Sequence, residues 1–348
     1  MAEVIERQFR AMGGPARVVL SGVDPQVADD LQSLVQDLES KWSRFLDHSE
    51  ISALNRLAGR VCGVSPETFE LVQRAAVATD ATGGRFNPLM LDQLEHWGYR
   101  KPWGQWPTNE TKLCPPATAE NSSEFSSERS HGGGVAPGPA NPDPILCLPE
   151  VSAIRLPPGV RLDPGGIGKG LAVDFVVEAA QAAGATTVLV ELGGDLRVFG
   201  EPWYGSEWRV DVADPFDRTR NIATFTPTSG AVTTSTTLRR SWRQNGKARH
   251  HLLDPATGAP SQTDLVSVTT CSGEAWWAEV VAKVALMAGS ARVVSILDSL
   301  ETPGMAVTAE GRIITNHSGP GSNNLDLGDS PAEGTGSQAL ATIGGSDR

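Results

Sequence analysis

Five strand-like segments follow one another between Trp208 and Cys271 with no helical pattern among them. They are Trp208–Val212, Ile222–Thr226, Ala231–Thr234, Arg249–Leu253 and Leu265–Cys271. Parallel neighbours need crossover connections of a dozen or more residues, usually helical. A run of strands without intervening helices therefore pairs antiparallel. This excludes a doubly wound parallel sheet and makes the chain α+β, with mixed, largely antiparallel sheets and packed helices. Outside that run, Val4–Met12 and Ala16–Leu20 flank Gly13-Gly14-Pro15 as a hairpin. Asp24-Pro25 opens a helix, an N-cap acid before a first-turn proline. Its apolar residues Val27, Leu31, Leu34, Val35, Leu38, Trp42 and Phe45 step by three or four. Ser65-Pro66-Glu67 repeats the start signal for a helix to about Ala81. The pattern then predicts a helix from Ile167 to about Ala183, a buried strand over Thr187–Leu192, helices over Glu274–Met287 and Ala291–Leu300, and a last hairpin of Met305–Thr308 with Arg312–Thr315.

One stretch resists this reading. Trp103–Pro144 holds 7 Pro, 5 Gly and 5 Ser in 42 residues, with Leu113 and Val135 its only aliphatics beyond alanine. It has too little apolar surface to offset chain entropy, so a disordered insertion in a surface loop is expected. The tail 317–348, rich in Gly, Ser and Asn, reads the same way. The expectation is one domain over 1–316, interrupted by 103–144.

A net charge of −12 argues against nucleic acid and anionic membrane as partners, because both need clustered Lys and Arg. No apolar run reaches the length of a spanning helix, and Met1–Arg10 lacks the apolar core of a signal peptide. Four cysteines show no CxxC and no Cys/His ligand spacing, so no disulfide framework is expected. The expected compartment is the cytoplasm.

The densest chemical signal is Leu162-Asp163-Pro164-Gly165-Gly166-Ile167-Gly168-Lys169-Gly170. A glycine-rich turn at a helix start presents unpaired N–H groups and a positive dipole end, which suits phosphate. It is not a Walker A loop, since Asp163 stands where the first Gly belongs and Gly170 where Ser or Thr belongs. A dinucleotide fingerprint fails at Leu171. As a bare cluster the turn could serve packing alone; the flanking Asp163 and Lys169 favour an anion or nucleotide site. His250-His251-Leu252-Leu253-Asp254-Pro255 is the second signal. Adjacent strand histidines point to opposite faces and no third ligand is near in sequence, which disfavours zinc. A triad of Ser235, His251 and Asp254 lacks any nucleophile-elbow pattern.

Taken in order, Met12-Gly13, Trp42-Ser43-Arg44-Phe45 with Ser49–Asn55, Gly83–Pro88, Leu162–Asp174, Glu191–Gly200, Ala231–Ser235 and Arg249–Pro260 resemble the ApbE family of FAD:protein FMN transferases. The resemblance runs from Met12 to about Thr315 outside the insertion. It implies an α+β fold of that family's own kind and a cleft that binds FAD. It also implies cleavage of the FAD pyrophosphate, transfer of FMN to a threonine of an acceptor flavoprotein, and release of AMP, with magnesium on the pyrophosphate. Residue by residue, it implies cofactor contacts at Met12, Phe45, Arg85, Phe86, Asn87, Asp163, Lys169 and Leu252. His251 becomes the candidate base, since a histidine near neutral pKa suits proton abstraction, and Lys169 the phosphate counter-charge. The implied metal set is the Gly166 carbonyl with Glu279 and Lys283.

That metal set departs from the family pattern, which has Asp and Thr where this chain has Glu279 and Lys283. Glu279 and Lys283 are spaced i,i+4 in the favourable order for a pair. An ammonium there would occupy or repel a cation. Asn87 removes a further carboxylate, and Thr234–Leu238 lacks the glycine and aromatic usual after Thr-Ser. A second reading therefore stands beside the transferase: a protein that binds FAD and transfers nothing.

Overall fold

The computed structural model describes residues 3–102, 144–244, 247–316, 325–327, 330–331 and 340–343. The expected insertion lies outside the described residues, apart from Pro144.

The main sheet has eight strands that lie side by side in chain order: β1 (Val4–Ala11), β2 (Gly14–Ser21), β3 (Thr187–Leu192), β4 (Asp195–Phe199), β5 (Gly230–Thr236), β6 (Leu265–Ser272), β7 (Gly304–Thr308) and β8 (Ile313–Thr315). Every neighbouring pair is antiparallel. The helices are α1 (Gln26–Trp42), α2 (Glu50–Arg56), α3 (Pro66–Ala81), α4 (Leu91–His96), α5 (Gly168–Ala182), α6 (Ala275–Ala288) and α7 (Val293–Ser299).

Strand alternation divides the molecule into layers. Val18, Leu20, Val188, Val190 and Leu192 face one way, into a core shared with α1, α3, α5, α6 and α7. Val19, Leu189, Leu196 and Val198 face the other way, onto Trp208, Val210, Val212 and Phe225 of a second sheet. The central strands are thus covered on both faces, which explains their unbroken apolar runs. In the second sheet Arg209–Ala213 and Arg220–Phe225 pair antiparallel, and Leu340–Ile343 joins in parallel. Leu325–Asp326 and Ser330–Pro331 also pair with Arg220–Phe225. These short strands fall within the segment expected to be a disordered tail. Their two to four residues are too few to stand out from Gly- and Ser-rich surroundings, and the sheet edge supplies the order.

Local chemistry sets the helix starts. Asp24 Oδ1 accepts from Gln26 N at 2.8 Å. Ser65 caps α3 by accepting from Thr68 N, and Glu50 in turn accepts from Ser65 N at 3.1 Å. Such a cap stabilises a helix by about 1 kcal/mol. The long helix stops at Trp42, where Ser43 takes an extended conformation, so Phe45 lies beyond it. The expected strand Arg249–Leu253 is also interrupted. It ends at His250, and Leu253–Asp254 pairs separately with Ala259–Pro260. The cause is a side-chain bond: Leu252 N donates to His250 Nδ1 at 3.3 Å and bends the chain. No helix among the described residues is long and apolar enough to cross a membrane.

Candidate active site

A cleft of about 650 Å³ opens where the β1–β2 turn, the end of α1, the segment after α3, the glycine-rich turn and α6 converge. Eleven of the twelve positions singled out from sequence line it: Met12, Phe45, Arg85, Phe86, Asn87, Asp163, Gly166, Lys169, His251, Leu252 and Lys283. The twelfth, Glu279, is 1% exposed and sits directly behind Lys169 and Lys283.

The glycine turn owes its composition to close approach. A Cβ on Gly166 would stand 2.7 Å from the Phe86 ring, and one on Gly170 only 2.5 Å from the Ala275 carbonyl oxygen. Glycine at 170 lets α5 cross α6 tightly enough for Gly170 N to donate to Glu279 Oε2 at 2.8 Å. The N–H groups of Gly168 and Lys169, in the first turn of α5, have no intrahelical partner and carry the positive end of the helix dipole.

Around that helix end lies a buried charge cluster. Lys169 Nζ pairs with Asp195 and lies 2.9 Å from Glu279 Oε1. Lys283 Nζ lies 2.7 Å from the same oxygen. Burial lowers Lys169 to about 8, helped by the charges of Lys283 and Arg240 and opposed by Glu279. Burial would raise Glu279, but Lys169 and Lys283 outweigh it and hold the carboxylate well below its usual range. Arg240, in the left-handed conformation at φ 51°, lines the same end of the cleft. The cluster thus sets three cations, Lys169, Lys283 and Arg240, against two carboxylates, Glu279 and Asp195.

Asp163 is tied elsewhere. Arg44 Nε lies 2.7 Å from its Oδ1, and the Arg44 guanidinium also covers the Phe45 ring at 4.2 Å. Arg44 therefore fixes an acidic and an aromatic member of the cleft at once. Asn87 is spent partly on its own turn, its Oδ1 accepting from Leu89 N at 2.8 Å. Exposed Arg85 donates to Thr82 O at the rim. Met12 takes φ 51° at the β1–β2 turn.

The two histidines have different roles. His250 Nε2 donates to Ser261 O at 3.1 Å while Nδ1 accepts from Leu252 N, which ties it into the wall. His251 faces the cleft, and its buried Nδ1 has no hydrogen-bond partner among the described residues. Burial, then Arg240, His250 and Lys283, hold its pKa well below the usual value, so the ring is neutral.

The sequence reading missed Arg44, Asp195 and Arg240. Arg44 and Asp195 lie inside the motifs Trp42–Phe45 and Glu191–Gly200, yet their partners are set by tertiary approach alone. Arg240 carries only the weak signal of an Arg239-Arg240 pair.

The arrangement does not fit magnesium. Glu279 Oε1 is shared by two ammonium groups and Oε2 by a backbone N–H. No group of three His, Cys, Asp or Glu among the described residues could hold a metal ion. Magnesium wants near-octahedral oxygen ligands, and lysine as an ammonium offers none.

Comparison with known proteins agrees with the geometry. The ApbE family model matches residues 12–308. The chain is 27% identical over 289 residues to the FAD:protein FMN transferase of Treponema pallidum, covering 80% of this chain and 75% of that protein. It is 27% identical over 274 residues to the FAD:protein FMN transferase of Klebsiella pneumoniae, covering 76% and 78%. The crystal structure of the ApbE protein of Thermotoga maritima superposes with a TM-score of 0.73 at 26% identity, over 90% of this chain and 97% of that one. The flavin transferase ApbE of Vibrio cholerae shares the fold, with a TM-score of 0.70 at 22% identity over 91% and 98%. With most of its length matched in sequence and in backbone, this chain belongs to the ApbE family.

Proposed function

We propose that this chain is an FAD:protein FMN transferase that attaches FMN through a phosphoester to a threonine of an acceptor flavoprotein. The observation that carries this reading is the juxtaposition of two groups in one cleft. A cationic helix N-terminus with Lys169 and Lys283 lies at its floor, and the neutral His251 in its wall. The floor suits the FAD pyrophosphate. A neutral imidazole at the cleft wall can take a proton from a threonine hydroxyl.

In the reaction, the threonine oxygen attacks the phosphorus on the FMN side of the pyrophosphate. The bond from that phosphorus to the bridging oxygen breaks, and AMP leaves with that oxygen. The hydroxyl proton passes to the His251 imidazole. The low basicity of His251 is corrected by the substrate, because a dianionic pyrophosphate nearby favours the imidazolium. Lys169 and the first amides of α5 neutralise charge that develops on the phosphate oxygens, the main requirement of phosphoryl-type transfer. Met12, Phe45, Arg85, Phe86, Asn87, Asp163 and Leu252 shape the remainder of the FAD site. Magnesium would add charge neutralisation where it binds, but the residues do not fit it and no step depends on it. The unpaired cysteines Cys62, Cys147 and Cys271 accord with a reducing compartment, the cytoplasm. A net charge of −12 accords with a protein acceptor rather than nucleic acid.

The test is to incubate the purified protein with FAD and soluble extract from cells lacking it. Expected are AMP release and a band with covalent flavin fluorescence on a denaturing gel. Bound FAD with neither product would establish the second reading, a flavin holder without transfer.

A further inference from the structure

The place where a metal would sit is filled by this chain's own charge. Lys283 lines the cleft, yet its Nζ is 2.7 Å from Glu279 Oε1 and its side chain is only 11% exposed. Glu279 has no oxygen left for a cation, since one oxygen bridges Lys169 and Lys283 and the other accepts from Gly170 N. The two lysines are not equivalent. An ammonium has three N–H donors. Lys169 commits two of them, to Asp195 and Glu279. Lys283 commits one, to Glu279, while its side chain lines the cleft. From these observations we propose that Lys283 replaces the divalent cation: its ammonium is a built-in counter-charge for the pyrophosphate, and this chain binds FAD without magnesium. The inference rests on the reading of the cleft as an FAD site.

Charge accounting supports it. The FAD pyrophosphate carries two negative charges. The floor offers Lys169, Lys283 and Arg240 against Glu279 and Asp195, and α5 adds roughly half a positive charge at its N-terminus. A divalent ion placed beside Lys283 would meet an ammonium at contact distance, and the carboxylates near it are already engaged, Glu279 by the two lysines and Asp163 by Arg44. Glu279 is the device that makes the exchange tolerable, because its charge opposes the burial that lowers the pKa of both lysines. An uncompensated ammonium there would be driven towards its neutral form.

The experiment has four arms. FAD affinity of the wild-type protein, read by flavin fluorescence, is compared in EDTA and in excess magnesium; equal values are expected. Manganese is titrated against the protein and followed by electron paramagnetic resonance; the free-ion signal is expected to stay undiminished. The double variant Glu279→Asp with Lys283→Thr is then examined in the same way. It should retain manganese, and its FAD affinity should become dependent on magnesium. Lys283→Met, with Glu279 still paired to Lys169, should bind FAD about tenfold or more weakly in EDTA. Where a variant does not fold, the two wild-type arms decide alone. Wild-type protein that retains manganese, or that binds FAD only with magnesium, overturns the proposal. Transfer that needs magnesium would leave the transferase reading intact while sinking this one. Metal-free FAD binding without transfer would do the reverse.

Discussion

At the scale of single residues the proposed function divides the cleft into groups that would hold charge and groups that would move a proton. Lys169 belongs to the first kind. In Lys169→Ala, Glu279 keeps Lys283 and Gly170 N as partners, while a phosphate would lose one charged donor. A hydrogen bond to a charged group contributes about 1.5–3 kcal/mol, so FAD affinity should fall by roughly one to two decades. An unchanged fluorescence titration would take Lys169 out of the site. His251 belongs to the second kind. His251→Asn should keep FAD affinity within a few-fold and lower covalent transfer by about two to four decades, the usual worth of a positioned base. Transfer at the wild-type rate would exclude the base role. These residues were legible because each sits in a compact motif that names its own chemistry. Arg44 was not, because its partner Asp163 is brought to it only by packing of the α1 end against the glycine turn. Arg240 was not, because a surface-like arginine pair gives no hint that one member turns inward.

At the scale of elements, the contact between α5 and α6 positions the charge cluster, and glycine makes that contact possible. Gly170→Ala would place a methyl 2.5 Å from Ala275 O, where backbone cannot yield cheaply. The expected loss of stability is about 1–3 kcal/mol, with α5 displaced from Glu279. Gly168→Ala is the control, because its Cβ would meet Pro164 Cβ at an ordinary 3.8 Å. Equal denaturation midpoints for the two variants would contradict this account of the turn. Asp174 secures the other side of the contact by accepting from Ala275 N and Trp276 N at the start of α6, both at 2.9 Å. Most elements were readable from apolar spacing and cap residues, as for α1, α3 and β3. The break at His251 was not readable, since it depends on one side-chain bond from Leu252 N to His250 Nδ1. The short strands Leu325–Asp326 and Leu340–Ile343 were hidden for a different reason, namely that a sheet edge orders residues whose own sequence does not demand it.

At the scale of the whole molecule, a sheet covered on both faces carries a cleft at one end, and the wall of that cleft makes stability depend on pH. His250 is pushed down to about 4 by burial, partly offset by its bond to Ser261. The folded chain therefore refuses a proton that the unfolded chain accepts below the usual histidine value. Stability is fully present above about pH 6.5 and falls as the pH drops towards 4, at up to about 1.4 kcal/mol per pH unit for each such proton. His251, also depressed, adds a second proton over a window with the same upper edge. Urea midpoints should drop between about pH 7 and about pH 5, and His250→Asn should flatten the slope; a flat wild-type profile would refute this. The antiparallel α+β plan was legible from the strand run alone, whereas the stacking of two sheets was not, because Val19 and Leu189 look no different from Val18 and Val190 in sequence. The central claim is that the cleft takes FAD with its pyrophosphate on the lysine cluster at the start of α5. A crystal structure of the protein grown with FAD and magnesium tests it most directly. The account predicts phosphate oxygens within hydrogen-bond reach of Lys169 and Lys283, with the Glu279–Lys283 pair intact and no metal between. FAD bound elsewhere, or a divalent ion on Glu279 with Lys283 swung away, would contradict it.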